Sequence, residues 1–160
     1  MDSDKIIIQY YNYHQRYYKW FWYQPSNLSI HYGFWYPKTK SHAESLINMN
    51  KVLVKIAKIK PGDIVLDAGC GIGGSSIWIA KNLATKVIGI NICKRQIDLA
   101  NKFVKEEKVG HLVKFYVRDF NNTKFNNETF DVVFGLESIC YAKNKKDFVS
   151  EAWRILKKIV

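Results

Sequence analysis

A glycine-rich run directly after a short apolar segment constrains the fold of this 160-residue chain more than any other feature. Residues 64–66 read IVL, which is typical of a buried strand, and residues 67–74 read DAGCGIGG. Glycine tolerates positive φ angles and lets the backbone approach a ligand closely. A helical pattern follows at once, so the run predicts a strand-to-helix loop. That loop either holds a ligand or is a tight turn without one.

The same alternation of strand and helix signals continues along the chain. Strands are predicted at 64–66, 86–90, 113–117 and 130–136, and helices at 74–83, 94–108 and 145–158. Ser41 and Glu44 form a capping box that opens a further helix, which ends before Pro61. This alternation predicts an α/β fold with a parallel sheet, whose ligands bind beyond the carboxyl ends of the strands. The loops at those ends are 67–74, 91–94, 118–121 and 136–143.

Composition narrows the class of protein. Apolar residues make up 48% of the chain and charged residues 24%, which fits one globular domain and excludes a disordered polymer. No apolar run is long enough to span a membrane, and the first twenty residues lack the apolar core of a secretory signal. Cys70, Cys93 and Cys140 have no metal-ligand spacing and leave one thiol over. A reduced, cytoplasmic protein without a metal site is therefore expected.

The net charge of +11 is a weaker signal. Lysines outnumber arginines by 21 to 4 and are spread along the chain. Proteins that read bases or clamp phosphates rely on the arginine fork, so no nucleic-acid partner is expected. The positive charge is compatible with peripheral contact with an anionic membrane surface.

Asp67 decides between ligands for the glycine loop. Gly69, Gly71 and Gly74 match the G-x-G-x-x-G pattern of dinucleotide-binding loops, which by itself is weak. A carboxylate two residues before the first glycine would repel a pyrophosphate but attract a cationic amino group. The loop therefore favours S-adenosylmethionine, which carries an ammonium and a sulfonium, over NAD.

Four segments carry a resemblance to a known family. The segment VLDAGCGIGG resembles the first motif of class I S-adenosylmethionine-dependent methyltransferases, and VIGINI, VRDF and FDVVFGLESICYA follow in the family's order. The N-terminal YYKWFW and LSIHYGFW, with LESICYA, are similar to the subgroup that methylates sterols, tocopherols and related acceptors. The resemblance covers about residues 60–158. It implies a Rossmann-like sheet of four parallel strands in the order 3-2-1-4, without the last strands of the family fold. The chain is then a truncated one, with an apolar face of strand four exposed and able to form a homodimer.

The resemblance also implies a set of cofactor-binding residues. These are Asp67, Gly69, Cys70, Gly71, Asn91, Ile92, Gln96, Asp119 and Phe120. Asn91 stands where the family usually has an acid that bridges the ribose hydroxyls, and it could equally cap the following helix. Asp119 stands where the family's acid accepts a hydrogen bond from adenine, and it could equally be a turn residue. Phe120 or Arg118 could flank the adenine ring.

Glu137 is the predicted catalytic residue, because the family places this position beside the transferring methyl group. The alternative is a capping or salt-bridging carboxylate. LESI lacks the proline-containing tetrad of amino-methylating nucleic-acid enzymes, and Cys140 lacks the proline that precedes the nucleophile of cytosine C5 enzymes. We expect Cys140 to be a buried structural thiol.

Residues 1–40 hold thirteen of the 24 aromatic side chains and form a predicted segment apart from the α/β domain of residues 41–160. They form either a short helix packed over the sheet or a lid that closes over an apolar, lipid-like acceptor. Aromatic faces stabilise the positive charge that moves towards the acceptor in methyl transfer. The substrate candidates are Tyr17, Trp20, Tyr32, Trp35 and Tyr141, and His14 or His31 could supply a base. The alternatives to a methyltransferase are a non-catalytic cofactor- or partner-binding module, an NAD-binding dehydrogenase domain and a nucleic-acid-binding protein.

Overall fold

The computed structural model describes residues 3–21 and 27–158, and only the backbone of residues 16 and 19–21. Within these ranges helices and strands alternate as predicted. The helices are α1 (Ser3–Phe21), α2 (His42–Ala57), α3 (Gly74–Leu83), α4 (Lys94–Glu106) and α5 (Lys145–Ile155), with a 3₁₀ turn at Ile139–Tyr141. The strands are β1 (Ile64–Ala68), β2 (Lys86–Asn91), β3 (Val113–Val117) and β4 (Val132–Phe134).

The four strands form one parallel sheet in the order β3-β2-β1-β4, which confirms the predicted order. Asp67 at the end of β1 lies opposite Gly89 of β2 on one side and Phe134 of β4 on the other. Because all four strands run in the same direction, their carboxyl ends meet at one edge. The loops that follow them are therefore close together.

Helices cover both faces of the sheet. On one face, Val65 and Val87 pack with Ile77 of α3 and Ile97 of α4. On the other face, Leu66 and Ile90 pack with Phe130 and with Ile155 of α5. This double cover explains why the central strands are apolar on both faces rather than alternating.

The predicted capping box of α2 is present. The Glu44 backbone N–H donates to Ser41 Oγ at 3.2 Å. The Glu44 carboxylate accepts a hydrogen bond from the Lys40 backbone N–H at 2.7 Å, one residue before the cap. Both bonds satisfy donors at the chain's entry into the helix.

The fourth strand and the last helix are shorter than predicted. Phe130 lies outside β4 and forms an isolated bridge with Leu156, and this pairing draws Leu156 out of the helix. Beyond the strand, a side chain on Gly135 would overlap Ile139, and the chain bends at the next two residues. Both differences arise from contacts between residues far apart in the sequence.

The expectation that β4 exposes an apolar face is wrong. Val132 packs against the cluster on one face of the sheet and Val133 against the cluster on the other, and both are half-buried. The exposed apolar side chains in this region are Val149 and Trp153 of α5, at 61% and 68% exposure. Within residues 3–21 and 27–158, no helix is both long enough and apolar enough to cross a bilayer.

Candidate functional site

A cavity of about 460 Å³ lies between the carboxyl edge of the sheet and the N-terminal part of the chain. All four loops predicted from the strand ends contribute to its wall, and residues of α1 and of 28–32, with Ser75 and Gln96, line the rest. Its volume falls within the range of about 300–1,000 Å³ that is usual for small-molecule sites.

Thirteen of the fifteen residues predicted for the site line this cavity. They are Tyr17, Tyr32, Asp67, Gly69, Cys70, Gly71, Asn91, Ile92, Gln96, Asp119, Phe120, Glu137 and Tyr141. The prediction that Trp35 contacts the site is wrong, because its side chain lies outside the cavity and is 57% exposed. The side chain of Trp20 lies outside the described residues.

Asp67 is a buried carboxylate at the end of β1, with 3% of its surface exposed. Its one hydrogen-bond partner within residues 3–21 and 27–158 is Ser76 of α3, whose Oγ donates to Asp67 Oδ2 at 2.6 Å. Burial raises the pKa of Asp67 to about 7, although the Ser76 hydrogen bond opposes that shift. A cation bound beside Asp67 would therefore stabilise its ionised form.

The glycine loop is fastened to β2 by its own backbone. The N–H groups of Gly69 and Cys70 both donate to the Ile90 carbonyl, at 2.8 and 3.0 Å. Gly69 has a φ of +88°, and a side chain there would overlap Ser138. Only glycine meets both requirements at this position, so the loop can lie directly against the chain that leaves β4.

The segment at 28–32 lies on the outer side of the same loop. A Cβ on Gly74 would come within 2.5 Å of the Ser29 backbone nitrogen, and one on Gly71 would come within 3.0 Å of Ile30 Cδ1. The glycine loop is therefore enclosed between the sheet and the N-terminal segment.

Asn91 forms a turn directly before α4, whose N-cap residue is Cys93, and it lines the cavity. Its Oδ1 accepts a hydrogen bond from the Cys93 backbone N–H at 3.0 Å, and its Nδ2 donates to Gln96 Oε1 at 2.8 Å. Gln96 is 1% exposed. The side chain therefore orders the turn that leads into α4 rather than capping the helix itself, and its place in the cavity wall also allows contact with a ligand.

Asp119 forms a turn at the end of β3. Its Oδ1 accepts hydrogen bonds from the backbone N–H and the side-chain amide of Asn121, at 2.8 and 3.0 Å. Its Oδ2 makes no hydrogen bond within the described ranges. The next side chain, Phe120, lies in the cavity wall with its ring edge-on to Phe148 at 5.5 Å between centroids.

Of Phe120 and Arg118, the two alternatives for flanking the adenine ring, Phe120 lines the cavity and Arg118 does not. Its Nη1 donates to the Thr123 carbonyl at 2.7 Å, and its guanidinium lies 4.3 Å from the Phe125 ring centroid. These contacts direct the side chain away from the site.

Glu137 and His31 meet at the backbone of Tyr32. Glu137 Oε1 accepts a hydrogen bond from the Tyr32 N–H at 2.9 Å. His31 Nδ1 lies 2.8 Å from the Tyr32 carbonyl, which can only accept, so Nδ1 carries the proton in the neutral ring. Burial lowers the pKa of His31, although Glu137 opposes that shift. Glu137 therefore connects β4 to the N-terminal segment rather than capping a helix.

One face of α1 forms an aromatic wall of the cavity. Ile7, Tyr11, His14 and Tyr18 follow one another at helical spacing, and all four line it. The Tyr11 hydroxyl donates to the Tyr141 hydroxyl at 3.3 Å, and burial raises the pKa of both Tyr11 and Tyr18 well above its usual range. The sequence prediction missed Tyr11 and Tyr18, because aromatic side chains occupy more than one face of α1 and the helical period does not show which face lines the cavity.

The burial of the three cysteine thiols differs from the prediction. Cys140 is exposed rather than buried; it lies in the 3₁₀ turn after Glu137, where its thiol contacts the Glu137 carbonyl at 3.4 Å. Cys93 is the buried thiol, and Cys70 lines the cavity. Burial, with the nearby Asp67 carboxylate, raises the pKa of Cys70 and keeps its thiol neutral.

Comparison with known proteins gives concordant matches. Residues 66–159 match the model of a family described as "Methyltransferase domain". The sterol 24-C-methyltransferase of Saccharomyces cerevisiae is 33% identical over 156 residues, which cover 98% of this chain and 39% of that protein. The chain spans about two fifths of the length of the sterol methyltransferases it matches.

Solved structures share the fold. The [4+2]-cyclase SpnF superimposes with a TM-score of 0.90 at 22% identity, over 98% of this chain and 57% of that one. The geranyl diphosphate C-methyltransferase from Streptomyces coelicolor A3(2), solved with Mg²⁺, geranyl diphosphate and S-adenosyl-L-homocysteine, superimposes with a TM-score of 0.80 at 22% identity. That match covers 98% of this chain and 62% of that one.

Proposed function

We propose that this chain, which belongs to the methyltransferase domain family, binds S-adenosylmethionine in the cavity and transfers its methyl group to a small apolar acceptor. The observation that carries the proposal is that one polar residue from the end of each strand lines a single cavity. These residues are Asp67, Asn91, Asp119 and Glu137. Their separation along the sequence makes this convergence a property of the fold.

The cavity fits the proposed cofactor in charge and in shape. Asp67 is a buried carboxylate that gains from a cationic partner, and the ammonium of S-adenosylmethionine provides one. Gly69 leaves the backbone open to close approach. We assign Gly69, Cys70 and Gly71 to the methionine part, Asn91, Ile92 and Gln96 to the ribose, and Asp119 and Phe120 to the adenine.

When bound, S-adenosylmethionine supplies an electrophilic methyl group on a sulfonium. The chain's own residues orient the acceptor and exclude water, and orientation alone contributes about 7–11 kcal/mol in favourable cases. The aromatic wall stabilises positive charge on the acceptor by about 0.5–2 kcal/mol for each ring face. Glu137 orients the acceptor or takes a proton from it, and His31 is a second proton acceptor in the same wall.

We infer a sterol- or isoprenoid-like acceptor from the lining and from the relatives. Tyr11, Tyr18, Tyr32 and Tyr141 provide broad apolar faces with polar tips. The 33% identity to a sterol 24-C-methyltransferase supports the same acceptor class. In this proposal, residues 1–40 form the substrate segment and residues 41–160 the cofactor-binding domain.

Location and assembly are part of the same proposal. We retain the cytoplasmic location, to which the free state of Cys70, Cys93 and Cys140 adds support. Peripheral contact with a membrane would deliver a lipid-like acceptor, and the net charge of +11 favours an anionic surface. A homodimer through β4 stays a prediction that rests on the edge position of this strand in the sheet and not on an exposed apolar face, and sedimentation of the purified chain tests it.

The experiment that tests the activity is transfer of a labelled methyl group. S-adenosylmethionine labelled in its methyl group is incubated with the chain and with a sterol, geranyl diphosphate or a small amine. We expect label in the sterol or the isoprenoid, and less label with Glu137→Gln. Binding of S-adenosylhomocysteine without label in any acceptor would contradict the transfer step and leave a non-catalytic cofactor-binding module.

A further inference from the structure

Helix α1 contacts the first turn of α4 through buried polar groups. Gln15 Oε1 lies 3.4 Å from Gln96 Nε2, and the two side chains are 4% and 1% exposed. Beside them, the Asn12 carbonyl accepts a hydrogen bond from Arg95 Nη1 at 2.8 Å. Gln15 does not line the cavity, so a direct contact with the cofactor does not explain it.

In the hydrogen bonds that connect Asn91, Gln96 and Gln15, the donor and the acceptor of each bond can be assigned. The Cys93 backbone N–H can only donate, so the atom that faces it at 3.0 Å is the carbonyl oxygen of Asn91. The amide nitrogen of Asn91 must then donate to Gln96 Oε1, at 2.8 Å. Gln96 Nε2 is left to donate to Gln15 Oε1.

We propose that Gln15 is a positioning residue of the cofactor site, which fixes the Asn91 amide through Gln96. The inference rests on the proposed function, since Asn91 is there assigned to the cofactor ribose. Without the Gln15 oxygen, the buried Gln96 amide loses the acceptor that holds its orientation. Asn91 then loses the partner that holds its amide towards the cavity.

Calorimetric titration with S-adenosylhomocysteine tests this role. Gln15→Met keeps the length of the side chain and removes the acceptor, and we expect affinity to fall by about three- to tenfold. Gln9→Met is the matched control, because Gln9 is exposed on the same helix, and it should leave affinity unchanged. Equal affinities for the two variants would overturn the proposal.

A double-mutant cycle separates positioning from a general effect on α1. In an Asn91→Ala background, Gln15→Met should lower affinity by less than twofold, because its effect is transmitted through Asn91. Full additivity of the two substitutions would overturn the proposal, since it would mean that Gln15 acts by another route.

A second variant tests the direction of the hydrogen bonds. Gln15→Glu keeps an oxygen at the position of Oε1 and replaces the Nε2 amide group, which makes no hydrogen bond within the described ranges, by a second oxygen of an ionisable carboxyl group. We expect its affinity at pH 8 to lie within about twofold of wild type. A loss equal to that of Gln15→Met would overturn the assigned direction. If wild type itself gives no binding, the proposed function fails, and this inference fails with it.

Discussion

Asp67 titrates near neutral pH, because burial raises its pKa to about 7. At pH 6 the ligand-free site therefore holds a proton for most of the time. A cation beside Asp67 favours the ionised form and lowers that pKa. In the proposed site, cofactor binding and proton release would therefore be linked at this one residue.

The linkage predicts proton release when the cofactor binds at pH 6. Binding enthalpies of S-adenosylhomocysteine measured in two buffers of different ionisation enthalpy should reveal release of up to about one proton. At pH 8.5 the release should vanish, since Asp67 is then already ionised, and affinity should rise as pH passes through about 7. Asp67→Asn removes the titrating group, so it should give the same enthalpy in both buffers at pH 6. Proton release that persists in Asp67→Asn would contradict the assignment.

Glu137 is expected to act on transfer rather than on cofactor binding. In Glu137→Gln the amide oxygen can still accept the Tyr32 N–H, so the N-terminal segment keeps its attachment. The variant loses the negative charge and the ability to take a proton, and we expect the transfer rate to fall by about 10²–10⁴-fold. Affinity for S-adenosylhomocysteine should stay within about threefold of wild type. A large loss of affinity at an unchanged rate would reverse the assigned roles.

At the scale of a single element, the glycine loop allows a comparison of two matched substitutions. Gly69 and Gly62 have φ angles of +88° and +89°, but a side chain on Gly69 overlaps Ser138, whereas one on Gly62 has nothing within 4 Å. Gly62→Ala should therefore lower the free energy of unfolding by about 1–2 kcal/mol, from its backbone conformation alone.

Gly69→Ala should cost about 1–3 kcal/mol more than Gly62→Ala, because Ser138 must move. It should also weaken cofactor binding, which Gly62→Ala should not. Chemical denaturation measures the first effect and calorimetry the second. Equal losses of stability in the two variants would mean that the loop is not packed against Ser138.

Most elements could be predicted because their signals are local. The bounds of α3 and β3 agree with the prediction, since α3 begins at the end of the glycine run and β3 ends before the charged Arg118. The extents of β4 and α5 could not be predicted, because the bridge between Phe130 and Leu156 sets them. That bridge joins residues far apart in the sequence, and no local pattern reports it.

The residues of the candidate site also fall into those that the sequence could predict and those that it could not. Asp67, Asn91 and Asp119 could be placed together, because residues at the carboxyl ends of parallel strands must converge. The residues of α1 could not be assigned in the same way, since its aromatic side chains occupy more than one face. Which face lines the cavity depends on how α1 docks on α4, and the contact of Gln15 with Gln96 is visible only in the structure.

At the scale of the whole molecule, Asp67 lowers the stability of the ligand-free protein. Its folded pKa of about 7 lies above the ordinary pKa of an aspartate, about 3.9, so its protonated form stabilises the fold fully below about pH 4. That contribution is lost as pH rises to about 7. The site therefore holds a charge that is unfavourable for the fold until a cation binds.

Because the buried charge of Asp67 is unfavourable for the fold, we expect Asp67→Asn to stabilise the ligand-free chain. At pH 8 its free energy of unfolding should exceed that of wild type by roughly 2–4 kcal/mol, and the difference should vanish by about pH 4. Thermal unfolding across this pH range measures the difference, with Asp98→Asn as a control at an exposed carboxylate. A variant less stable than wild type at pH 8 would mean that the Asp67 carboxylate supports the fold.

The central claim is that the cavity at the carboxyl edge of the sheet holds S-adenosylmethionine by its ammonium at Asp67. Calorimetric titration of the chain with S-adenosylhomocysteine and, separately, with NAD at pH 8 tests it most directly. We predict saturable binding of S-adenosylhomocysteine, weaker or no binding of NAD, and a ten- to hundredfold loss of affinity in Asp67→Ala, since a charge-assisted hydrogen bond is typically worth about 1.5–3 kcal/mol. Tighter binding of NAD, or an Asp67→Ala variant that binds S-adenosylhomocysteine as well as wild type, would contradict the claim.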